Sequence, residues 1–272
     1  MAKAESTKKT TTLLLFGKTG SGRSATGNSI LGRKAFAVSP MFNTTTKYQI
    51  ETCERDGRNL KVVDTPDITE SHDHLPDKDP DREVAKWLVE TKDGINAILL
   101  IHKFGVRFTD QQKTLLGALV KYFGKDVYEH CIVVLTHGDQ AEEAMKDGSL
   151  TSIEEYVSEE WGGLPKLMEK VDNRHVVFNN RAEDEDEKKK QVERLMDRVD
   201  EVRGQSPYKS PYCSGIADSP PTTADPGSDA ADATNKSSAD PKSLFEEQVD
   251  KVQKALKPWY SKLPSFSFGK KD

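Results

Sequence analysis

A glycine-rich loop between an apolar run and a helical pattern is the feature that most constrains the fold of this chain. Residues 13–16 are three leucines and a phenylalanine, a run typical of a buried strand, and GKTGSGRS follows at 17–24. The glycines let the backbone curl so that successive amides face one point, and the next helix adds the positive end of its dipole. The pattern predicts a cradle for the α- and β-phosphates of a nucleotide, and the alternative is a purely structural turn.

Nine consecutive residues form the predicted cradle: Gly17, Lys18, Thr19, Gly20, Ser21, Gly22, Arg23, Ser24 and Ala25. Ser24 carries the hydroxyl that would bind Mg²⁺. The phosphate-loop pattern has lysine before this serine, whereas the chain has Arg23, and a planar guanidinium is not equivalent to a compact ammonium. We expect Arg23 either to reach a β-phosphate or to bend out of the loop. Nucleotide binding is therefore predicted, and efficient γ-phosphate chemistry is not.

Short apolar runs alternate with helical patterns across the front part of the chain. Strands are predicted at 13–16, 48–53, 60–63, 95–102, 131–135 and 175–178, and helices at 81–90, 110–123, 153–160 and 183–202. This alternation predicts an α/β fold, a phosphate-loop domain with a mostly parallel six-stranded sheet and helices on both faces. Asp56 and Gly57 predict a hairpin between the second and third runs, so one strand is expected to be antiparallel.

Composition disfavours several classes of protein. Only 35% of the 272 residues are hydrophobic and 31% are charged, so part of the chain is expected to lie outside a packed core. The formal charge of −5 disfavours a nucleic-acid binder. No run of eighteen apolar residues occurs, and the first twelve residues are polar, which disfavours a membrane span and a signal peptide. Cys53, Cys131 and Cys213 lack disulfide or metal-site spacing, which favours a reducing compartment and a cytoplasmic location.

Four segments are predicted along the chain. A disordered N-terminus spans residues 1–10, the α/β domain 11–203, a disordered linker rich in Ser, Pro, Ala and Asp 204–242, and an amphipathic helix with an aromatic and basic tail 243–272. The helix is predicted to begin at the capping-box pattern that starts with Ser243. A helix this short has to dock on something. A protein partner, the domain's own switch loops and a weak membrane contact all remain possible destinations.

Four spaced blocks resemble the GTPases of the immunity-associated protein family, also called avirulence-induced or immune-associated nucleotide-binding GTPases. They are GKTGSGRSATGNSILG at 17–32, the stretch 94–112 ending in TDQQ, LTHGD at 135–139 and FNNRA at 178–182. The resemblance covers residues 13–202. It implies a G domain that binds GTP or GDP with Mg²⁺, forms homo-oligomers in the GTP state and hydrolyses GTP slowly unless contact between two G domains completes the site.

The resemblance also assigns site residues. Ser24, Thr46 and Asp64 would hold Mg²⁺, with Thr46 chosen from three consecutive threonines by the family pattern. His137, Gly138, Asp139 and Asn180 fall on the base-reading motifs. Asp139 would accept hydrogen bonds from guanine N1 and N2, which excludes adenine, His137 would stack along the base, and Asn180 would approach from the other side. The alternatives are that the threonines only begin a strand and that Asp139 caps a helix.

Asp67 departs from the family pattern, which has glycine where a backbone amide meets the γ-phosphate. A carboxylate there would repel a triphosphate and stiffen the loop, unless it faces solvent. No glutamine follows it to orient a water, so no catalytic residue is assigned. Candidates for an arginine supplied by a second G domain are Arg55, Arg58 and Arg107, and a metal site at His72 and His74 is disfavoured.

Three hypotheses on function follow. The first is a GTP-dependent switch with slow or impaired hydrolysis, because Arg23 and Asp67 replace the lysine and the glycine of the pattern. The second is a degenerate, non-hydrolysing G domain that acts as an interaction scaffold in immune or stress signalling. The third, a phosphate-loop kinase or ATPase, is disfavoured by THGD at 136–139.

Overall fold

A computed structural model describes residues 10–38, 45–69, 79–159, 163–203, 206–213 and 240–260. Most of the predicted N-terminal segment, most of the predicted linker and the aromatic and basic tail lie outside these residues. His72 and His74 also lie outside them.

Six strands form one sheet among the described residues. They are β1 (Thr10–Gly17), β2 (Gln49–Arg55), β3 (Arg58–Asp64), β4 (Ala97–Lys103), β5 (Cys131–Thr136) and β6 (His175–Phe178). Their order across the sheet is β2-β3-β1-β4-β5-β6. The β2–β3 pair is antiparallel and every other pair is parallel. Asp56 and Gly57 turn the chain between β2 and β3 with φ values of 49° and 74°. The predicted mostly parallel six-stranded sheet is confirmed.

Helices cover both faces of the sheet, as predicted. They are α1 (Arg23–Leu31), α2 (Pro80–Glu90), α3 (Asp110–Phe123), α4 (Gly138–Lys146), α5 (Ile153–Ser158), α6 (Leu164–Lys170), α7 (Glu185–Arg203) and α8 (Pro241–Tyr260). Successive side chains of β1 alternate between two cores, because a strand points its side chains to opposite faces. Leu13 and Leu15 pack with residues of α1 and α7. Leu14 and Phe16 pack with residues of α2, α3 and α8.

The sheet brings the predicted site residues to one edge. The strands β1, β3, β4, β5 and β6 run parallel, so their carboxyl ends lie together. The glycine-rich loop follows β1, Asp64 ends β3, His137 follows β5 and Asn180 follows β6. In open parallel sheets, ligands bind beyond the carboxyl ends of the strands, so this edge is the expected position of a binding site.

The C-terminal helix docks on the domain's own α2. Its buried face includes Val249, Val252 and Leu256, each 0% exposed. Arg82 of α2 donates to Asp250 at 2.8 Å, and Gln253 donates to Asp79 at 2.7 Å. The helix begins at Pro241, two residues before the predicted Ser243, because a proline is well suited to the first turn of a helix. The C-terminal helix therefore docks on the domain itself, beside Asp79 and α2.

Residues 206–213, predicted to be part of the linker, pack on the domain. Tyr208 exchanges two backbone hydrogen bonds with Ile95, both of 2.8 Å, and its hydroxyl donates to the Phe123 carbonyl. Gly94 makes room for this crossing, because a Cβ there would lie 2.8 Å from Pro207. The packed domain therefore continues beyond Arg203. A sequence pattern could not show this, because Tyr208 finds its partners on distant segments. No described helix has the length and apolar character needed to cross a membrane.

Candidate functional site

The glycine-rich loop curls between β1 and α1 as its sequence predicts. Gly20 and Gly22 have φ values of 76° and 89°, a left-handed region in which a Cβ would be strained. Gly22 precedes α1, and no side chain caps that helix with a hydrogen bond. The first amides of α1 therefore have no side-chain cap, and uncapped amides at a helix N-terminus are donors suited to an anion.

Ser24, Asp64 and Thr45 meet just beyond the loop. Ser24 Oγ donates to Asp64 Oδ2 at 2.6 Å and lies 3.2 Å from Thr45 Oγ1. Asp64 is 1% exposed. The family pattern predicted Thr46 rather than Thr45, but Thr46 is exposed. Consecutive side chains of a chain leading into a strand point in opposite directions, so only one of the two threonines can face Ser24.

Arg23 turns inward, beneath the loop. Its Nε donates to Asp64 Oδ1 at 3.1 Å, its Nη1 donates to the Gly17 carbonyl, and the residue is 5% exposed. A buried cation has to be paired and hydrogen-bonded, and Asp64 supplies the opposite charge. Of the two expectations for Arg23, this geometry favours the one in which the side chain bends out of the loop, here towards Asp64.

Asp67 is fully buried against the loop, so the solvent-facing alternative is wrong. Its carboxylate accepts hydrogen bonds from the Thr19 amide at 3.0 Å, the Thr69 amide at 2.9 Å and the Thr69 hydroxyl at 2.7 Å. Lys18 Nζ lies 3.3 Å from the same carboxylate. Burial by itself would raise the pKa of Asp67, but the hydrogen bonds from Thr69 and Thr19 and the charge of Lys18 outweigh it and lower the pKa. Asp67 is thus an anion at neutral pH.

The β5–α4 connection joins the predicted base-reading residues to the glycine-rich loop. Thr136 Oγ1 donates to the Ser21 carbonyl at 2.7 Å and lies 3.1 Å from His137 Nδ1. His137 has a left-handed φ of 62°. Burial, followed by the nearby charge of Lys103, lowers the pKa of His137. Its ring is therefore neutral at pH 7 and suited to stacking.

Asp139 lies in the first turn of α4 and is half-buried. No side chain caps this helix, so the alternative that Asp139 is a helix cap is not supported. Within the described part of the chain, the Asp139 carboxylate has no hydrogen-bond or ion-pair partner. Gly138, beside it, allows the β5–α4 and β6–α7 connections to touch, because a Cβ there would lie 3.0 Å from the Asn179 amide.

Asn180 faces α1. Its Oδ1 accepts a hydrogen bond from Ser29 Oγ at 2.8 Å, and its Nδ2 donates to Thr26 Oγ1 at 3.0 Å. Asn180 and Ala25 line a cleft of about 1160 Å³ between α1 and the start of α7. His137 and Asp139 do not line this cleft. The structure therefore gathers the predicted residues at a phosphate end, Gly17 to Ser24 with Asp64, and at a base end that is divided between two loops.

The three arginines proposed for a second G domain have different surroundings. Arg55 donates to the carbonyls of Ser29 and Ile30 at 3.1 and 2.9 Å. Arg58 donates to Asp200 through two nitrogens. Arg107, in the loop after β4, is exposed and pairs with no residue in the described ranges. Of the three, Arg107 is therefore available to another molecule without first breaking an internal contact.

Sequence reasoning missed Thr69 at the phosphate end, gave no role to Thr136 of the LTHGD block, and preferred Thr46 to Thr45 among three consecutive threonines. Thr69 binds Asp67, Thr45 approaches Ser24, and Thr136 links β5 to the loop. Thr69 could have been found, because an aspartate that accepts a hydrogen bond two residues on is a common turn pattern. Thr45 and Thr136 act through contacts between distant segments, which leave no local signal.

The groups at the phosphate end suit the diphosphate of a nucleotide better than they suit a metal ion. The left-handed glycines and uncapped amides suit phosphate oxygens. Ser24, Thr45 and Asp64 offer the oxygen atoms that Mg²⁺ prefers. However, both oxygens of Asp64 are already engaged, one by the Arg23 cation. Magnesium would have to compete with this internal pair.

A family profile and several plant proteins match the sequence of this chain. The profile of the AIG1 family matches residues 11–218. Immune-associated nucleotide-binding protein 7 of Arabidopsis thaliana is 32% identical over 207 residues, which are 74% of this chain and 63% of that protein. Immune-associated nucleotide-binding protein 9 of the same plant is 36% identical over 219 residues, 77% of this chain and 59% of that protein. The chain thus matches about three fifths of the length of these relatives.

Solved structures agree on the fold. Toc33 from Arabidopsis thaliana in complex with GDP and Mg²⁺ is similar with a TM-score of 0.52 and 20% identity, over 74% of this chain and 86% of that chain. Toc33 with Mg²⁺ and GMPPNP gives a TM-score of 0.52 and 18% identity, over 74% and 87%. At such identities the likeness concerns the fold alone. The family profile covers most of the G domain described above, and the chain belongs to the AIG1 family.

Proposed function

We propose that this protein is a guanine-nucleotide-binding protein of the immunity-associated type, with slow or impaired GTP hydrolysis. The observation that carries the proposal is the loop at residues 17–24, where two left-handed glycines precede a helix without a side-chain cap. Membership of the AIG1 family supports it, since relatives are named as nucleotide-binding proteins and the neighbour Toc33 was solved with GDP and Mg²⁺.

The residues that would hold the nucleotide fall into the two groups described above. The phosphates would lie on Gly17, Lys18, Thr19, Gly20, Ser21, Gly22, Arg23, Ser24 and Ala25. Guanine would be read by Asp139, with His137 and Gly138 beside it and Asn180 on the opposite loop. If Mg²⁺ binds, Ser24 and Asp64 would hold it together with Thr45 or Thr46. The metal would supply positive charge to the phosphates.

Impaired hydrolysis is proposed from the two departures at the phosphate end. Arg23 is engaged with Asp64 and Gly17, and Asp67 places a buried anion against the loop. Neither is arranged to stabilise the charge that develops on a transferred phosphoryl group. These same contacts favour a second candidate function, a non-hydrolysing G domain that serves as an interaction scaffold.

Self-association through the G domain is proposed as the partner interaction. The neighbour Toc33 has been solved as a dimerisation-deficient mutant, and dimerisation is important for the GTPase activity of Toc33. Arg107 is the candidate residue for such a contact. A cytoplasmic location is proposed from the three free cysteines. A protein partner for the C-terminal helix and a weak membrane contact of the C-terminal segment stay predictions.

Isothermal titration of the full chain with GDP and with ADP tests the proposal. We expect GDP to bind at least about 100-fold more tightly, because a site built around a carboxylate excludes a base that cannot pair with it. Equal affinities would contradict guanine selectivity, and absence of binding by either nucleotide would contradict the proposed function. Release of phosphate from GTP, measured in the same preparation, separates slow hydrolysis from none.

A further inference from the structure

The start of the glycine-rich loop is already occupied by an anion of the chain. The Thr19 amide donates to Asp67 Oδ2 at 3.0 Å, and Lys18 Nζ lies 3.3 Å from the same oxygen. Backbone amides and lysine ammonium groups are the donors with which phosphate loops hold phosphate oxygens. A terminal phosphate at this point would therefore meet a carboxylate that has already taken its donors.

Asp67 cannot easily turn away to make room. Besides Thr19 and Lys18, the amide and hydroxyl of Thr69 donate to it at 2.9 and 2.7 Å, and the residue is 0% exposed. Moving the carboxylate would break these bonds and leave the Lys18 ammonium, whose side chain is only 16% exposed, without its ion pair. A group held by this many donors is positioned as firmly as a bound ligand.

A second internal group, the Arg23 guanidinium, supplies positive charge to Asp64, a candidate metal ligand. Asp64 accepts from Arg23 Nε at 3.1 Å on one oxygen and from Ser24 Oγ at 2.6 Å on the other. Arg23 is also held by the Gly17 carbonyl, so the guanidinium is fixed from two sides. Arg23 begins α1, and its positive charge lies against Asp64 at the end of β3. These two elements carry the candidate metal oxygens of Ser24 and Asp64.

We propose that Asp67 and Arg23 are built-in substitutes for a γ-phosphate and for Mg²⁺, so that the site selects guanosine diphosphate over the triphosphate and binds it without a divalent cation. The inference rests on the proposed guanine-nucleotide binding. What remains for a ligand is the rest of the cradle, the left-handed Gly20 and Gly22 and the uncapped start of α1. That set suits two phosphates better than three, because the third would lie beside the Asp67 anion.

The first test uses the unaltered full chain. Isothermal titration with GDP and with GMPPNP is run in excess Mg²⁺ and again in excess EDTA. We expect GDP to bind at least about tenfold more tightly than GMPPNP, and EDTA to change GDP affinity by less than about threefold. Equal affinity for the two nucleotides, or a loss of GDP affinity of about tenfold or more in EDTA, would overturn the inference.

Two substitutions then assign the effects to their residues. Asp67→Asn keeps the shape of the side chain and removes its charge, and it should lower the GDP-to-GMPPNP affinity ratio by about tenfold. Arg23→Lys replaces the guanidinium by one compact ammonium and should make GDP affinity depend on Mg²⁺ by about tenfold. An unchanged ratio in the first variant, or an unchanged response to EDTA in the second, would contradict the role of that residue.

Asp172→Asn is the matched control for the loss of charge. Asp172 is exposed and precedes β6, at the opposite edge of the sheet from the site. Its left-handed φ of 54° is one that asparagine also tolerates. The ratio and the response to EDTA should stay as in the unaltered chain, and a change would show that the readout follows overall charge instead.

Failure of the inference differs from failure of the proposed function. If GDP binds, but GMPPNP binds equally well and EDTA weakens the binding of GDP, only the inference is wrong. If neither nucleotide binds under any condition, the proposed function is wrong and the inference falls with it. Thermal unfolding of each variant checks that the variant is folded. The measurements on the unaltered chain test the inference even if a variant does not fold.

Discussion

At the phosphate end of the candidate site, Arg23 is paired with Asp64 and Lys18 with Asp67. At the base end, Asp139 is half-buried and has no pairing partner among the described residues, although it lies close enough to influence the pKa of His137. The charges at the phosphate end are compensated within the chain. The base end, in contrast, leaves the Asp139 carboxylate for a ligand. Charges at the phosphate end should therefore contribute to folding, and the charge at the base end should contribute mainly to binding.

The largest effect of this difference is expected for Arg23→Ala. Removing one partner of a buried ion pair leaves an uncompensated charge, here Asp64, and should lower the free energy of unfolding by about 3 to 5 kcal/mol. Arg58→Ala is the control, because its pair with Asp200 is partly exposed and should contribute less than about 1 kcal/mol. Urea unfolding monitored by circular dichroism measures both. Equal losses in the two variants would break the comparison.

Asp139→Asn should weaken nucleotide binding and leave stability nearly unchanged, the opposite of what is expected for a residue of the phosphate end. Losing hydrogen bonds from the guanine edge to a carboxylate should lower GDP affinity by about 100-fold, or about 2.7 kcal/mol, while stability changes by less than about 1 kcal/mol. Xanthosine diphosphate has a carbonyl where guanine has its amino group, so it should bind the variant better than GDP does. If stability falls as far as it does in Arg23→Ala, the base end is structural as well and the comparison fails.

A moderate effect is expected for Asn180→Ala. Asn180 exchanges hydrogen bonds with Thr26 and Ser29, so its loss should lower the free energy of unfolding by about 1 to 2 kcal/mol. Arg181→Ala, next to it and exposed, should be nearly neutral. Thermal unfolding of the two variants side by side shows whether this part of the base end resembles the phosphate end. No difference between them would mean that the contacts with α1 are weak.

The smallest expected change in stability distinguishes two neighbouring threonines, Thr45 and Thr46. Thr45→Ala removes the hydroxyl beside Ser24 and should lower the free energy of unfolding by about 0.5 to 1 kcal/mol, whereas Thr46→Ala, at an exposed position, should leave it unchanged. The measurement is urea unfolding of both variants. The reverse result would restore Thr46, the residue that the family pattern favours.

The fold was largely predictable from the sequence. Alternating apolar runs and helical patterns predicted all six strands, and Asp56 with Gly57 predicted the antiparallel pair. The short helix at Leu164–Lys170 was missed, since seven residues hardly establish a helical period. The packing of 206–213 was missed because Tyr208 and Ile95 are far apart in the chain.

The candidate site was predictable as a set of residues but not as a set of contacts. A motif locates Arg23, Asp67 and Asp139, because glycine spacing and strand ends leave local signals. It does not reveal that Arg23 binds a carboxylate 41 positions away, or that Asp67 reaches back 48 positions to Thr19. Such partners depend on how the strands are ordered in the sheet, and a local motif does not record that order.

The position of β1 has a consequence for how the molecule opens. β1 is hydrogen-bonded on both sides, to β3 and β4, and its apolar side chains enter both cores. Its amides should exchange with deuterium only when the whole domain unfolds. α8 packs chiefly on α2, so its amides should exchange through a smaller, local opening. Release of the C-terminal helix and exposure of the β1 amides are therefore separate events, with separate free energies.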